Sequence, residues 1–137
     1  GDACYFKRGN LDKIKRIYKS NELSVKKLAW GKMPSHAAMF VRKDVFNKYG
    51  LFNTSYKICG DYEFLCRILM NGNIMHKYVS EIFIKMQVGG ISTSGLQSKI
   101  IINKEAIRAC LDNKIYTNVF MIMSKYPSKL LEMFYKN

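Results

Sequence analysis

Gly60-Asp61-Tyr62-Glu63-Phe64-Leu65-Cys66-Arg67-Ile68-Leu69-Met70-Asn71-Gly72 is the stretch from which the rest of the chain is read. Leu65, Ile68 and Leu69 recur at helical spacing with Phe64 beside them. Two acids stand in the first turn, where the helix dipole favours them, and Gly72 supplies a stop. The pattern predicts a helix over 61–71. Asp61 has two readings at its start. It can cap the helix by accepting backbone N–H groups, or it can serve as a carboxylate that takes a proton from a hydroxyl. Glu63 and Arg67 stand four apart in the favourable order and are expected to pair.

Upstream, Lys43–Tyr49 reads as a short helix with Val45, Phe46 and Tyr49 inward and Gly50 as its terminator. Ala37–Arg42 reads as a buried strand. Ala3–Lys7 and Lys13–Lys19 alternate loosely around Arg8-Gly9-Asn10-Leu11, which predicts a hairpin. Pro34 ends any helix around Leu28, Trp30 and Met33. Downstream, Ile74–Val79 and Ile82–Met86 are strand-like. The glycine-rich Gly89-Gly90-Ile91-Ser92-Thr93-Ser94-Gly95 opens a second long helix, with capping-box spacing from Ser94 to Gln97, running to about Asn113. A loop of this composition lets backbone N–H groups approach an anion or a hydroxyl. Two short helical stretches follow, Thr117–Lys125 and Ser128–Lys136, divided by Pro127. Strands and helices mix, so the class is α/β or α+β.

The 137 residues suit one domain or part of a larger one, and 48% apolar composition supports a packed core. The longest apolar runs, Ala37–Val41 and Val119–Met123, are far short of the roughly 20 residues that cross a membrane. Cys4, Cys59, Cys66 and Cys110 are scattered, and His36 and His76 stand well apart, which excludes a clustered zinc motif. Four free, buried thiols point to a reducing compartment, the cytoplasm. The formal charge of +13 is uneven: +8 over residues 1–48, +1 over 49–95 and +4 over 96–137. Such a surface is either simply solvated or holds the chain near an anionic partner. No helix-turn-helix or aromatic RNA-binding signature accompanies it, so nucleic acid is not expected.

Pro34-Ser35-His36-Ala37-Ala38-Met39-Phe40-Val41-Arg42-Lys43, then Phe46–Phe52, Tyr56, Asp61-Tyr62-Glu63 with Arg67, and Gly89-Gly90-Ile91-Ser92 follow one another in a telling order. Together they resemble the C-terminal, acceptor-side half of a family 2 glycosyltransferase of the GT-A fold, the kind that builds bacterial capsule, O-antigen and exopolysaccharide. The likeness covers about residues 1–95, with 96–137 as a helical C-terminal extension. It implies the α/β GT-A architecture, a mixed sheet with flanking helices, and inverting transfer of a sugar from a nucleotide-diphosphate donor to a glycan or lipid-linked hydroxyl.

The resemblance gives Asp61, six residues before Arg67, the role of general base; Gly60 stands where many relatives have Glu. It places His36 at the border of the cleft, in reach of donor or acceptor, although a surface or capping histidine fits the position equally. Glu63 and Arg67 join the substrate-binding set, and Gly89, Gly90 and Ser92 form the loop that closes over the acceptor. It also implies a divalent metal, Mg or Mn, on the donor diphosphate. The Asp-x-Asp ligands for that ion belong to an N-terminal half that this sequence lacks, and Gly1-Asp2 resembles a later strand start instead. The expected location is the cytoplasm, with peripheral contact at the inner membrane through the basic surface and a Leu130, Leu131, Met133, Phe134 stripe that serves core packing equally well. Two rival readings remain at this point: a non-catalytic basic module recognising an acidic polymer or membrane, and an inactive truncated remnant.

Overall fold

A computed structural model describes residues 1–7, 10–72, 74–87 and 95–127, and the side chains of these apart from residues 7, 10–13 and 15. Strand β1 (Asp2–Lys7) lies at the centre of a three-stranded sheet. It pairs antiparallel with β2 (Asn10–Tyr18), Ala3 opposite Tyr18 and Cys4 opposite Ile17. On its other side it pairs parallel with β3 (Ile82–Gln87), Cys4 opposite Lys85. The expected hairpin is present, while residues 8 and 9 of its turn lie outside the described residues. The helices are α1 (Val25–Ala29), α2 (Lys43–Tyr49), α3 (Gly60–Asn71), α4 (Gly95–Asp112) and α5 (Val119–Met123). The class is thus mixed α/β, with a small sheet flanked by helices.

The main core is helical. Leu28 of α1, Phe64, Leu65, Cys66 and Ile68 of α3, Ala106, Ala109 and Cys110 of α4, and Ile122 of α5 are buried together. The segment after residue 95 therefore shares the core of the segment before it. Phe64 anchors one side: its ring stacks on Phe46 at 4.9 Å and meets Phe52 edge-on at 5.2 Å. Such pairs add about 0.5–1.5 kcal/mol beyond area burial. Helix α2 has the predicted bounds, and Gly50, at φ 83°, ends it by donating its N–H to the Phe46 carbonyl. All four cysteines are free and buried. No helix among the described residues is long and apolar enough to cross a membrane.

Two strand expectations are corrected. Residues 37–42 do not form a buried strand: His36–Ala38 is a 3₁₀ turn, and Phe40 is 85% exposed. β1 already has a ladder partner on each side, so no pairing position on it is left for this run. The turn closes on itself instead, Ala38 N–H to Ser35 O at 3.0 Å and Met39 N–H to His36 O at 3.1 Å. Ile74–Val79 is likewise irregular, with Met75 97% exposed. Only from Ile82 onward does that segment run beside β1 as a strand. Ser94 of the capping box and the stretch Ser128–Lys136, with its apolar stripe, lie outside the described residues.

Candidate active site

Asp61 sits at the start of α3, and that start is held from outside the helix. The Glu105 carboxylate of α4 accepts three successive backbone N–H groups, Lys57 at 2.7 Å and Ile58 and Cys59 each at 2.9 Å. Burial opposes ionisation of Glu105, yet the amides of Cys59, Lys57 and Ile58 outweigh it and hold its carboxyl below the usual range. A carboxyl so depressed stabilises the fold above its ordinary pKa and loses that effect as pH falls through the lower value. Glu105→Gln is therefore expected to lower stability at neutral pH by roughly the 1.5–3 kcal/mol of a hydrogen bond to a charged group, seen as a lower Tm, and to flatten the acid side of the Tm–pH curve. Thermal melts of both proteins across the acid range check this. An unchanged acid limb would show that Glu105 does not set it.

The N-cap position belongs to Cys59, whose side chain makes no capping bond. Burial, then the charges of Glu105 and Asp61, push its thiol up to about 12, so it stays protonated beside the carboxylate. Asp61 itself accepts the adjacent amide, Tyr62 N–H to Oδ1 at 2.7 Å. Its other oxygen, Oδ2, lies 2.9 Å from His36 Nδ1. The Asp61 side chain is 25% exposed and that of His36 62%.

A polar chain running from β1 positions His36. Buried Asp2 accepts the Ser20 N–H at 2.8 Å through Oδ1 and the Tyr78 hydroxyl at 2.9 Å through Oδ2. Ser20 Oγ in turn accepts the N–H of Ser35, the residue preceding His36, at 3.0 Å. The backbone nitrogen of Gly1 donates to Ala38 O at 2.9 Å. The hydrogen bond that His36 donates to Asp61 raises the pKa of His36 above its ordinary 6.5, against partial burial and with help from the Asp61 charge. The pair thus stabilises the fold below the ordinary histidine pKa and fades as pH rises through the raised one, a small effect at such exposure.

Glu63 and Arg67 pair as expected, but they face elsewhere, because two residues along a helix turn a side chain to the far side. Arg67 Nε and Nη2 meet the two Glu63 oxygens at 3.0 Å each, with Glu63 only 5% exposed. Arg67 also donates to the carbonyls of Tyr49 and Leu51, and Asn113 reaches Glu63 Oε1 at 3.4 Å. Together these groups clamp the α2–α3 connection. Gly89, Gly90 and Ser92 lie outside the described residues. Of the residues singled out in the sequence, the structure brings His36 and Asp61 together. Asp2, Ser20, Tyr78 and Glu105 were not singled out for the site. Their partners are distant in sequence, so no local signal marks them.

Among the described residues no group of three or more His, Cys, Asp or Glu side chains gathers to hold a metal ion. The divalent ion implied by the resemblance therefore finds no cage among them. Compared with known proteins, the chain matches no family model, no curated protein and no solved structure.

Proposed function

We propose that the chain is the acceptor-side part of an inverting GT-A glycosyltransferase, with Asp61 as the carboxylate of its base. The sugar passes from a nucleotide-diphosphate donor to a hydroxyl of a glycan or lipid-linked acceptor. The acceptor oxygen attacks the anomeric carbon from the face opposite the leaving diphosphate, so a single displacement inverts that centre. The observation that carries this reading is the unequal treatment of the carboxylates. Glu105 is sealed by three backbone amides and Glu63 by an arginine. Asp61, partly exposed at a helix start, has one neighbouring amide and a titratable imidazole brought from another part of the chain. A structural cap needs no such partner; acid–base chemistry does.

The resemblance gives the donor and its metal to an N-terminal half of the same domain. The outward-facing apolar groups beside the site support such a completion. Phe40 is 85% exposed and meets Phe83 edge-on at 5.7 Å, and Ile82 and Phe83 of β3 are themselves 41% and 40% exposed. Residues 1–137 alone are accordingly expected not to bind UDP- or GDP-sugars tightly, with or without Mn²⁺. Isothermal calorimetry checks this, and tight metal-dependent binding would contradict the assignment of the donor site to another segment. The reaction itself is tested by assaying the full-length enzyme for sugar transfer from such donors.

A further inference from the structure

Resting on that reading, we propose that the atom receiving the acceptor's proton is Nε2 of His36, with Asp61 acting through the imidazole. The two Asp61 oxygens are already engaged, Oδ1 by the Tyr62 amide and Oδ2 by His36 Nδ1. A carboxylate only accepts, so Nδ1 carries the hydrogen that points at Asp61. That tautomer leaves the Nε2 lone pair on the far side of the ring, the side away from the carboxylate. His36 is also the outer member of the pair, 62% exposed against 25% for Asp61. A hydroxyl arriving from solvent meets the imidazole before it meets the carboxylate.

The acceptor O–H bond breaks and its proton goes to Nε2, while the oxygen's electron pair forms the bond to the anomeric carbon. The bond from that carbon to the diphosphate oxygen breaks, and its pair departs on the diphosphate. The imidazolium, held beside the Asp61 charge, then returns its proton to solvent. The relation resembles that of an imidazole oriented by a buried carboxylate in hydrolases, here without a protein nucleophile.

Among the described residues, ionisable groups reach the pair's surroundings from several elements; Glu105 of α4 and buried Lys125, just past α5, act on Cys59 with opposite sign. From the start of α3 come Asp61 itself and the protonated Cys59. From β1 comes Asp2, engaged by Ser20 and Tyr78. Lys85 is the one charged residue of β3, and it is exposed. Arg42, beyond the 3₁₀ turn, is paired with Asp44 at 2.7 Å. Asp61 is the group that bonds to His36, so it sets the direction of the titration. His36 works as a base when neutral, and turnover is expected to rise with pH through an apparent pKa above 6.5.

The test uses the full-length enzyme, with transfer from a nucleotide sugar as readout. His36→Ala should lower kcat/KM by about 10²–10⁴ with Tm unchanged, and added imidazole should restore part of the loss. His36→Asn, which can still donate to Asp61 but cannot take the proton, should stay slow and lose the pH limb. Asp61→Asn should move the His36 titration, followed by NMR, back toward the ordinary value. If His36→Asn turns over like the wild type with an unmoved pH limb, Asp61 takes the proton directly. The inference then fails while the transferase reading stands. If the unmutated enzyme transfers no sugar from any donor, both fall together.

Discussion

Asp61→Asn is expected to abolish sugar transfer by the full-length enzyme while leaving its Tm nearly unchanged. Asn keeps the shape of Asp, and its side-chain oxygen still accepts the Tyr62 amide. What it loses is the ability to accept a proton or to fix the hydrogen of His36 on Nδ1. Presented with an amide, the imidazole is free to reverse its tautomer, and the free nitrogen then no longer carries a lone pair. Either loss puts the decrease at about 10²–10⁴ in rate. Loss of a hydrogen bond in the first helical turn does not reach that size in a protein that still folds, since such a bond contributes about 1 kcal/mol to stability and nothing specific to rate. Turnover and melting must be measured on the same preparation. Activity that falls only in step with Tm would make Asp61 a structural residue.

The largest stability effect is expected at the Glu63–Arg67 clamp. Arg67→Ala takes the paired cation from the Glu63 carboxylate, which is 5% exposed in the intact fold. It also strips the donors from the Tyr49 and Leu51 carbonyls. Removing one partner of a buried pair costs about 3–5 kcal/mol. Glu63→Gln should cost less, because Gln still accepts from Arg67 and relieves the buried charge. The double variant Glu63→Gln/Arg67→Ala should be less destabilised than the sum of the two. Denaturant titrations of the three proteins form a thermodynamic cycle that reads this coupling directly. Strict additivity would show that the two side chains stabilise the fold independently.

What the sequence discloses and what it hides divide along a physical line. Helices α2 and α3 are legible because their signals are local: apolar spacing, acids in the first turn of α3, Gly50 just past the end of α2. The run at 37–42 misleads, since its apolar character is equally that of a buried strand and of a turn leading into exposed chain. Whether β1 has a vacant side is a property of the whole sheet. Ile74–Val79 misleads for the same reason. In the site, Asp61 is legible from its place at a helix start. His36 draws notice only through the resemblance, and nothing local predicts that the two meet at 2.9 Å. Glu105 is invisible: its three partners lie 46 to 48 residues away, and within α4 it reads as one more surface acid.

The central place of β1 bears on the order in which the molecule assembles. Its pairing with β2 is a hairpin, which can close within microseconds. Its pairing with β3 needs the chain to return from the far end of the helical segment, and the Asp2–Tyr78 bond that accompanies it spans 76 residues. Closing so long a loop carries an entropy cost that the helices between must first reduce by packing. Asp2 also steadies Ser20 and, through it, the turn bearing His36. The imidazole is therefore expected to reach its carboxylate among the last events of folding, once the parallel strand has docked. A partly folded chain would hold a well-formed α3 and a base not yet assembled.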